Sequence, residues 1–300
     1  MPGMRSAPPA LVVTANLWTL AGHPSPRREW SLARKVREVA EAGFDAITAP
    51  ATSELTDLIR ENRLRFMGFF SSSDPKEFAT QLAAQRTAEA ELINVQIGDD
   101  YTSIEDGLAL AQQLLQEAER QEIYTAIEVH RDTATETPEK TYAIADAYHA
   151  VSGRALPITW DHSHFAVVKH LKPFLFKEVL LRRPELIQAA RIFHLRPFNG
   201  QHAQIPVIND RGRLTPEFRT WLSFAEDLLR LWLAGPRPGN ALWVCPEIGP
   251  MGIHGYNLST FEPSWTQAIV CARELRRLWR RLNGFETDAH PPRVNLNRNP

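Results

Sequence analysis

Cysteine is scarce in this sequence. Cys245 and Cys271 are the only two in 300 residues, too few for a disulfide framework and without the spacing of a cysteine metal site. A reducing compartment, with the cytoplasm as default, is the expectation. Net charge is scarce as well: 34 Lys and Arg against 35 Asp and Glu leave −1. Nothing in that balance favours nucleic acid or an anionic membrane as a partner. Long apolar runs are missing too. No stretch approaches the roughly 18 apolar residues of a membrane span, and the run beginning at Ala10 is cut at Thr14, too short for a signal peptide. With 43% hydrophobic and 23% charged residues, the composition is that of an ordinary globular chain.

What the sequence does contain is one pattern repeated eight times. Short apolar runs rich in β-branched residues occur at 11–17, 44–49, 65–70, 92–98, 124–130, 156–162, 190–196 and 241–247. Their limited alternation is that of strands covered on both faces. Between them lie stretches with helical spacing, at 27–42, 52–62, 75–89, 103–121, 138–152, 173–188, 215–234 and 263–283. Asp74-Pro75, Thr137-Pro138 and Thr215-Pro216 each set a capping side chain before a proline suited to the first helical position. Ser103 and Asp106 have the spacing of a capping box. Eight strand–helix units demand parallel pairing with crossovers, and their total length matches a (β/α)8 TIM barrel. An open doubly wound sheet is the rival, but its usual glycine-rich G-x-G-x-x-G turn is missing after the first run. The expected organisation is a single-domain barrel over 10–283, a flexible N-terminus at 1–9 and a polar tail at 284–300.

Chemistry in such barrels sits at the C-terminal ends of the strands. The last four runs end in IEVHR, TWDHSH, FHLR and CPEIG, which brings Glu128, Asp161, His194 and Glu247 to nearly one height on four successive strands. Taken singly, each is as readily a helix cap or an arginine partner. Taken together, three converging carboxylates repel one another unless a cation lies between them. Three carboxylate oxygens and one imidazole nitrogen suit a single divalent ion: Mn²⁺ first, with Mg²⁺, Co²⁺ or Zn²⁺ also accommodated. His164 can turn into the mouth as the strand ends, whereas His162 reads as a packing residue. His130 and Arg196 share a face with Glu128 and His194, and both are candidates for contacting substrate. The glycine-bearing loop 248–257 suits a ligand-facing segment. Asn16, Trp18 and His23 at and after the end of the first run, and Gln96 and Asp99 around the end of the fourth, are polar or aromatic but form no pattern that assigns them a role.

This set, with Glu128 in IEVHR, Asp161 and His164 in TWDHSHF, His194 in FHLR and Glu247 in CPEIG, resembles the xylose isomerase-like TIM barrel superfamily over residues 10–283. It is most similar to the branch of sugar phosphate isomerases and epimerases. The resemblance implies Glu128, Asp161, His194 and Glu247 as metal ligands and His164 as a substrate contact, to which the strand-end reading adds Arg196 and His130. It also implies Glu128 and Glu247 as the acid/base pair. The activity implied is isomerisation or epimerisation of a sugar or sugar-like polyhydroxy carbonyl compound, by proton transfer through a metal-stabilised enediolate. Two alternatives share the scaffold: a metal-dependent lyase or dehydratase of an inositol- or shikimate-type substrate, and a non-catalytic sugar-binding barrel. The DNA-repair nucleases of the superfamily need further histidines on earlier strands, which FFSSSD and NVQIGDD do not supply. The expected partner is a small polyol or sugar, with no nucleic acid and no membrane, and the sequence leaves a homo-oligomer open.

Overall fold

A computed structural model describes residues 8–250 and 263–285. Its eight strands are β1 (Ala10–Asn16), β2 (Ala46–Ala49), β3 (Arg65–Ser72), β4 (Leu92–Ile97), β5 (Thr125–Glu128), β6 (Ile158–Trp160), β7 (Ile192–His194) and β8 (Ala241–Cys245). Each pairs in parallel with the next and β8 returns to β1, closing the barrel in sequence order. The sheet therefore has no open edge, and the (β/α)8 expectation holds. Most strands are shorter than their apolar runs, because backbone pairing stops where the chain turns toward a helix while the side-chain pattern continues.

The main helices are α1 (Leu32–Glu41), α2 (Ser53–Glu61), α3 (Phe78–Thr87), α4 (Ile104–Arg120), α5 (Pro138–Ser152), α9 (Pro216–Leu233) and α10 (Ser264–Leu282). Their starts follow the expected chemistry. Thr137 and Thr215 accept from Lys140 N at 3.2 Å and Phe218 N at 3.1 Å, each ahead of a first-turn proline. Ser103 accepts from Asp106 N at 3.0 Å and donates to its carboxylate at 2.7 Å. Asp74 caps a 3-10 turn, Pro75–Glu77, that leads into α3.

Two expectations are corrected. The helix expected over 173–188 is a 3-10 turn at Pro173–Leu175 followed by two short helices, α7 (Phe176–Leu180) and α8 (Pro184–Gln188). Pro184 lacks the N–H that would continue a helix through it and instead starts a new one. The sixth strand ends at Trp160 rather than at 162, because Asp161 caps a further helix, α6 (His162–Val168), by accepting from Ser163 N at 2.9 Å. Residues 1–7 of the N-terminus, 251–257 of the glycine-bearing loop and 286–300 of the tail lie outside the described residues.

Successive strand side chains alternate between the helices and the barrel interior. Inward, the lower layer is apolar, with Val12, Ala46, Met67, Leu92, Ala126, Ile192 and Trp243 packed together and buried. Two residues further along five of these strands the interior becomes polar, with Thr14, Thr48, Asn94, Glu128 and His194 buried at the matching positions. The same register thus seals the bottom with hydrophobic volume and delivers polar groups to the mouth. Truncating the apolar layer removes buried volume that the closed sheet cannot collapse to fill. Met67→Ala is expected to lower unfolding free energy by about 2–5 kcal/mol, read from the denaturant midpoint at unchanged slope.

Candidate metal centre

Glu128, Asp161, His194 and Glu247 meet at the mouth. Each offers one donor atom, and these atoms all lie within 4.8 Å of one another, with all four residues buried. Glu128 closes β5, His194 closes β7, Glu247 lies two residues beyond β8, and Asp161 is the residue on which β6 becomes α6. His194 Nδ1 stands 2.8 Å from Glu128 Oε1 and 3.0 Å from Glu247 Oε2. Neither approach lies along a hydrogen-bond direction, so both ring nitrogens lack a directed partner.

The outer oxygen of each glutamate is held by neutral donors. Glu128 Oε2 accepts from Asn94 Nδ2 at 2.8 Å and from Gln96 Nε2 at 2.9 Å, both on the neighbouring β4. Glu247 Oε1 accepts from Asn16 Nδ2 at 2.8 Å and Trp18 Nε1 at 3.3 Å, at and just after the end of β1. Each clamp leaves the other oxygen, Glu128 Oε1 or Glu247 Oε2, facing His194. Asn94 was not anticipated from the sequence. Its signal is the two-residue spacing to Gln96, which puts both amides on the inward face.

Asp161 is held differently. The Arg196 guanidinium donates to Oδ2, Ser163 N donates to Oδ1, and His164 Nε2 lies 3.4 Å from Oδ2. Arg196 also donates to His164 Nε2 at 2.9 Å; a guanidinium only donates, so that nitrogen must be the acceptor of the imidazole. Burial pushes the His164 imidazole down, to about 4, against the pull of Asp161. Arg196 is 2% exposed and occupied by these groups. The His130 ring lies 4.2 Å from that of His164. His162 packs as anticipated, stacked on Trp160 at 5.2 Å and edge-on to Phe224.

The charges at the centre test whether it fits a cation. Burial favours neutral carboxyls, but His194 beside Glu128 and Glu247, and Arg196 beside Asp161, overcome it and hold all three below the ordinary carboxylate range. Burial likewise works to lower the His194 imidazole, yet Glu247 and Glu128 hold it well above its ordinary value. Three carboxylates against one guanidinium leave two negative charges, which a single imidazole proton cannot cancel and a divalent cation can. Three carboxylates and an imidazole are also the oxygen-and-nitrogen donor set of such ions. Cys245 lies on the β8 strand below Glu247, but burial and the neighbouring carboxylates push its thiol well above the ordinary range. It is not among the four clustered donor residues. The four residues therefore fit a divalent ion.

The centre opens onto a cavity of about 500 Å³, bordered by Asn16, Trp18, Phe69, Gln96, His130 and Glu247 among others. Gln96 and His130 thus join the site from the expected strand ends, and Trp18 joins it from the loop after β1.

A proton on His194 and a cation in the centre compete for the same imidazole lone pair. Because the imidazole holds its proton above the ordinary range, divalent-ion binding at pH 7 is expected to release protons. Apparent affinity should then fall as pH is lowered. Calorimetric titrations of Mn²⁺ in buffers of different ionisation enthalpy check this; binding with no proton release would contradict it.

No protein-family model matches the chain, and no curated protein matches it in sequence. Solved structures do match it over nearly their whole length. A xylose isomerase-like TIM barrel protein from Mycobacterium smegmatis, solved in complex with magnesium, aligns with a TM-score of 0.56 at 15% identity, covering 94% of this chain and 99% of that one. A D-allulose 3-epimerase from Methylomonas sp. gives 0.55 at 14%, covering 92% and 99%. A sugar phosphate isomerase/epimerase from Parabacteroides distasonis gives 0.57 at 10%, covering 90% and 97%. At such identities the likeness is one of fold, and the shared fold is the closed parallel (β/α)8 barrel.

Proposed function

We propose that the protein is a divalent-metal-dependent isomerase or epimerase acting on a sugar or a sugar-like polyhydroxy carbonyl compound. The observation that carries this reading is Glu247. It belongs to the four-residue donor cluster and also borders the cavity, so one carboxylate can both hold a cation and reach a substrate carbon. Solved barrels of the same fold include a D-allulose 3-epimerase and a 3-keto-D-glucoside 4-epimerase, which supports a small sugar-like substrate. The donor set suits Mn²⁺ first, with Mg²⁺, Co²⁺ or Zn²⁺ as alternatives.

When bound, the cation would supply positive charge beside the substrate carbonyl and its neighbouring hydroxyl, acidifying the intervening C–H. In this reading Glu247 takes the proton from the cavity side and Glu128, the second glutamate of the cluster, is its acid/base partner. Return of the proton to the same carbon gives epimerisation; return to the adjacent carbon gives aldose–ketose isomerisation. Asn16 and Trp18, by donating to the outer oxygen of Glu247, keep its other oxygen directed inward. His130, on the cavity wall, contacts substrate hydroxyls. Arg196 and His164 act by fixing Asp161, a role their burial favours over direct contact.

The test is a screen of ketoses, inosose-like ketones and their phosphates with added Mn²⁺ in tritiated water. Tritium is expected in recovered substrate, chelation should abolish turnover, and Glu247→Gln should reduce kcat by about 10²–10⁴-fold. Turnover without a divalent ion would overturn the reading, and product formed by loss of water would replace it with a lyase.

A further inference from the structure

Gly249 has no conformational reason to be glycine. Its φ lies outside the left-handed region, so any residue can adopt its backbone. Its reason is space: a Cβ there would stand 2.3 Å from Trp18 Cη2 and 2.6 Å from Cζ3. The indole of Trp18 therefore lies directly on the Gly249 peptide, joining the loop after β1 to the segment after β8 across 231 residues of sequence.

The seat is rigid on its other side. Gln204, wholly buried, accepts from Gly249 N at 2.6 Å and donates to Gly249 O at 3.2 Å. Ser264, at the start of α10, donates to the same carbonyl at 2.5 Å. With the peptide gripped in this way, an added methyl group cannot be relieved by moving the backbone, and the indole must move.

The indole is also tied to the metal centre. Asn16 accepts from Trp18 N through Oδ1 at 3.2 Å and donates to Glu247 Oε1 through Nδ2 at 2.8 Å. Only one orientation of that amide satisfies both contacts. Trp18 Nε1 donates to the same Oε1, and Trp18 and Glu247 both border the cavity. One side chain thus rests on Gly249, forms cavity wall and holds a carboxylate that the cation and substrate would share.

We propose that Trp18 is a positioning residue for Glu247, and that Gly249 is its seat: the glycine sets the indole, and the indole sets the carboxylate. The proposal rests on the metal-centre reading for its consequence, but the seat itself stands on contacts independent of it. Because groups that orient a metal ligand change affinity when removed, the coupling is measurable with the metal alone.

The experiment is a double-mutant cycle on the full chain, comparing wild type, Gly249→Ala, Trp18→Ala and the double variant for Mn²⁺ affinity and for Tm. Gly249→Ala is expected to weaken Mn²⁺ binding about tenfold or more and to lower Tm. In the Trp18→Ala background, where no indole remains to collide, it should change Mn²⁺ affinity less than about twofold and leave Tm unchanged. Trp18→Phe, which removes the N–H but keeps a smaller ring, covers the case in which Gly249→Ala does not fold. It should weaken Mn²⁺ binding while retaining Tm better than Trp18→Ala. Equal effects of Gly249→Ala in both backgrounds would overturn the seat. Loss of Tm without loss of affinity in Trp18→Phe would reduce Trp18 to a packing residue. If wild type bound no Mn²⁺, the metal reading and the role of Trp18 toward it would fail together, and the Tm cycle would still decide the seat.

Discussion

Three carboxylates buried within a few ångströms of one another are the constraint on which the rest of this molecule depends. Unpaired, each carries a desolvation cost of several kcal/mol, and together they repel. The chain answers with one full positive charge, Arg196, placed on Asp161, and with neutral amide or indole donors on the outer oxygens of Glu128 and Glu247. Neutral donors orient a carboxylate without cancelling its charge. The remaining negative charge therefore stays concentrated around His194, where a divalent ion fits and a lone proton on the imidazole is a partial substitute.

The barrel makes this arrangement affordable by separating volume from charge along the strand direction. Closure leaves no unpaired strand edge, and the apolar layer from Val12 to Trp243 fills the lower interior. A shift of two residues on β4, β5 and β7 then delivers Asn94, Glu128 and His194 to one level. Asn94 and Gln96 on β4 hold Glu128 on β5, while Asn16 at the end of β1 and Trp18 just after it hold Glu247 after β8. The first clamp comes from the neighbouring strand of the β4–β5 pair, and the second joins the end of β1 and the 3-10 turn that follows it to the segment just beyond β8.

Much of this was legible in the sequence, for identifiable reasons. Strand positions followed from apolar runs, and helix starts followed from Ser103, Thr137 and Thr215, because both signals are local. The four donor residues were legible because strand ends in a (β/α)8 barrel share one height. What escaped reading was relational. Asp161 carries the same local signal whether it ends a strand or caps α6, and the helix won because Ser163 N was available to it. Pro173 and Pro184 punctuated a segment whose helical spacing otherwise ran on. Asn94 is a single amide until β4 is set beside β5. Gly249 is one glycine of a ligand-facing loop until Trp18 is laid on it.

The central claim is that Glu128, Asp161, His194 and Glu247 hold one divalent ion between them. Anomalous diffraction from crystals grown with Mn²⁺ tests it most directly. The account predicts a single anomalous peak bonded to all four side chains, with the Glu128 and Glu247 outer oxygens still on their amide and indole donors. A peak elsewhere, or no peak with His194 remaining between the two glutamates, would contradict it.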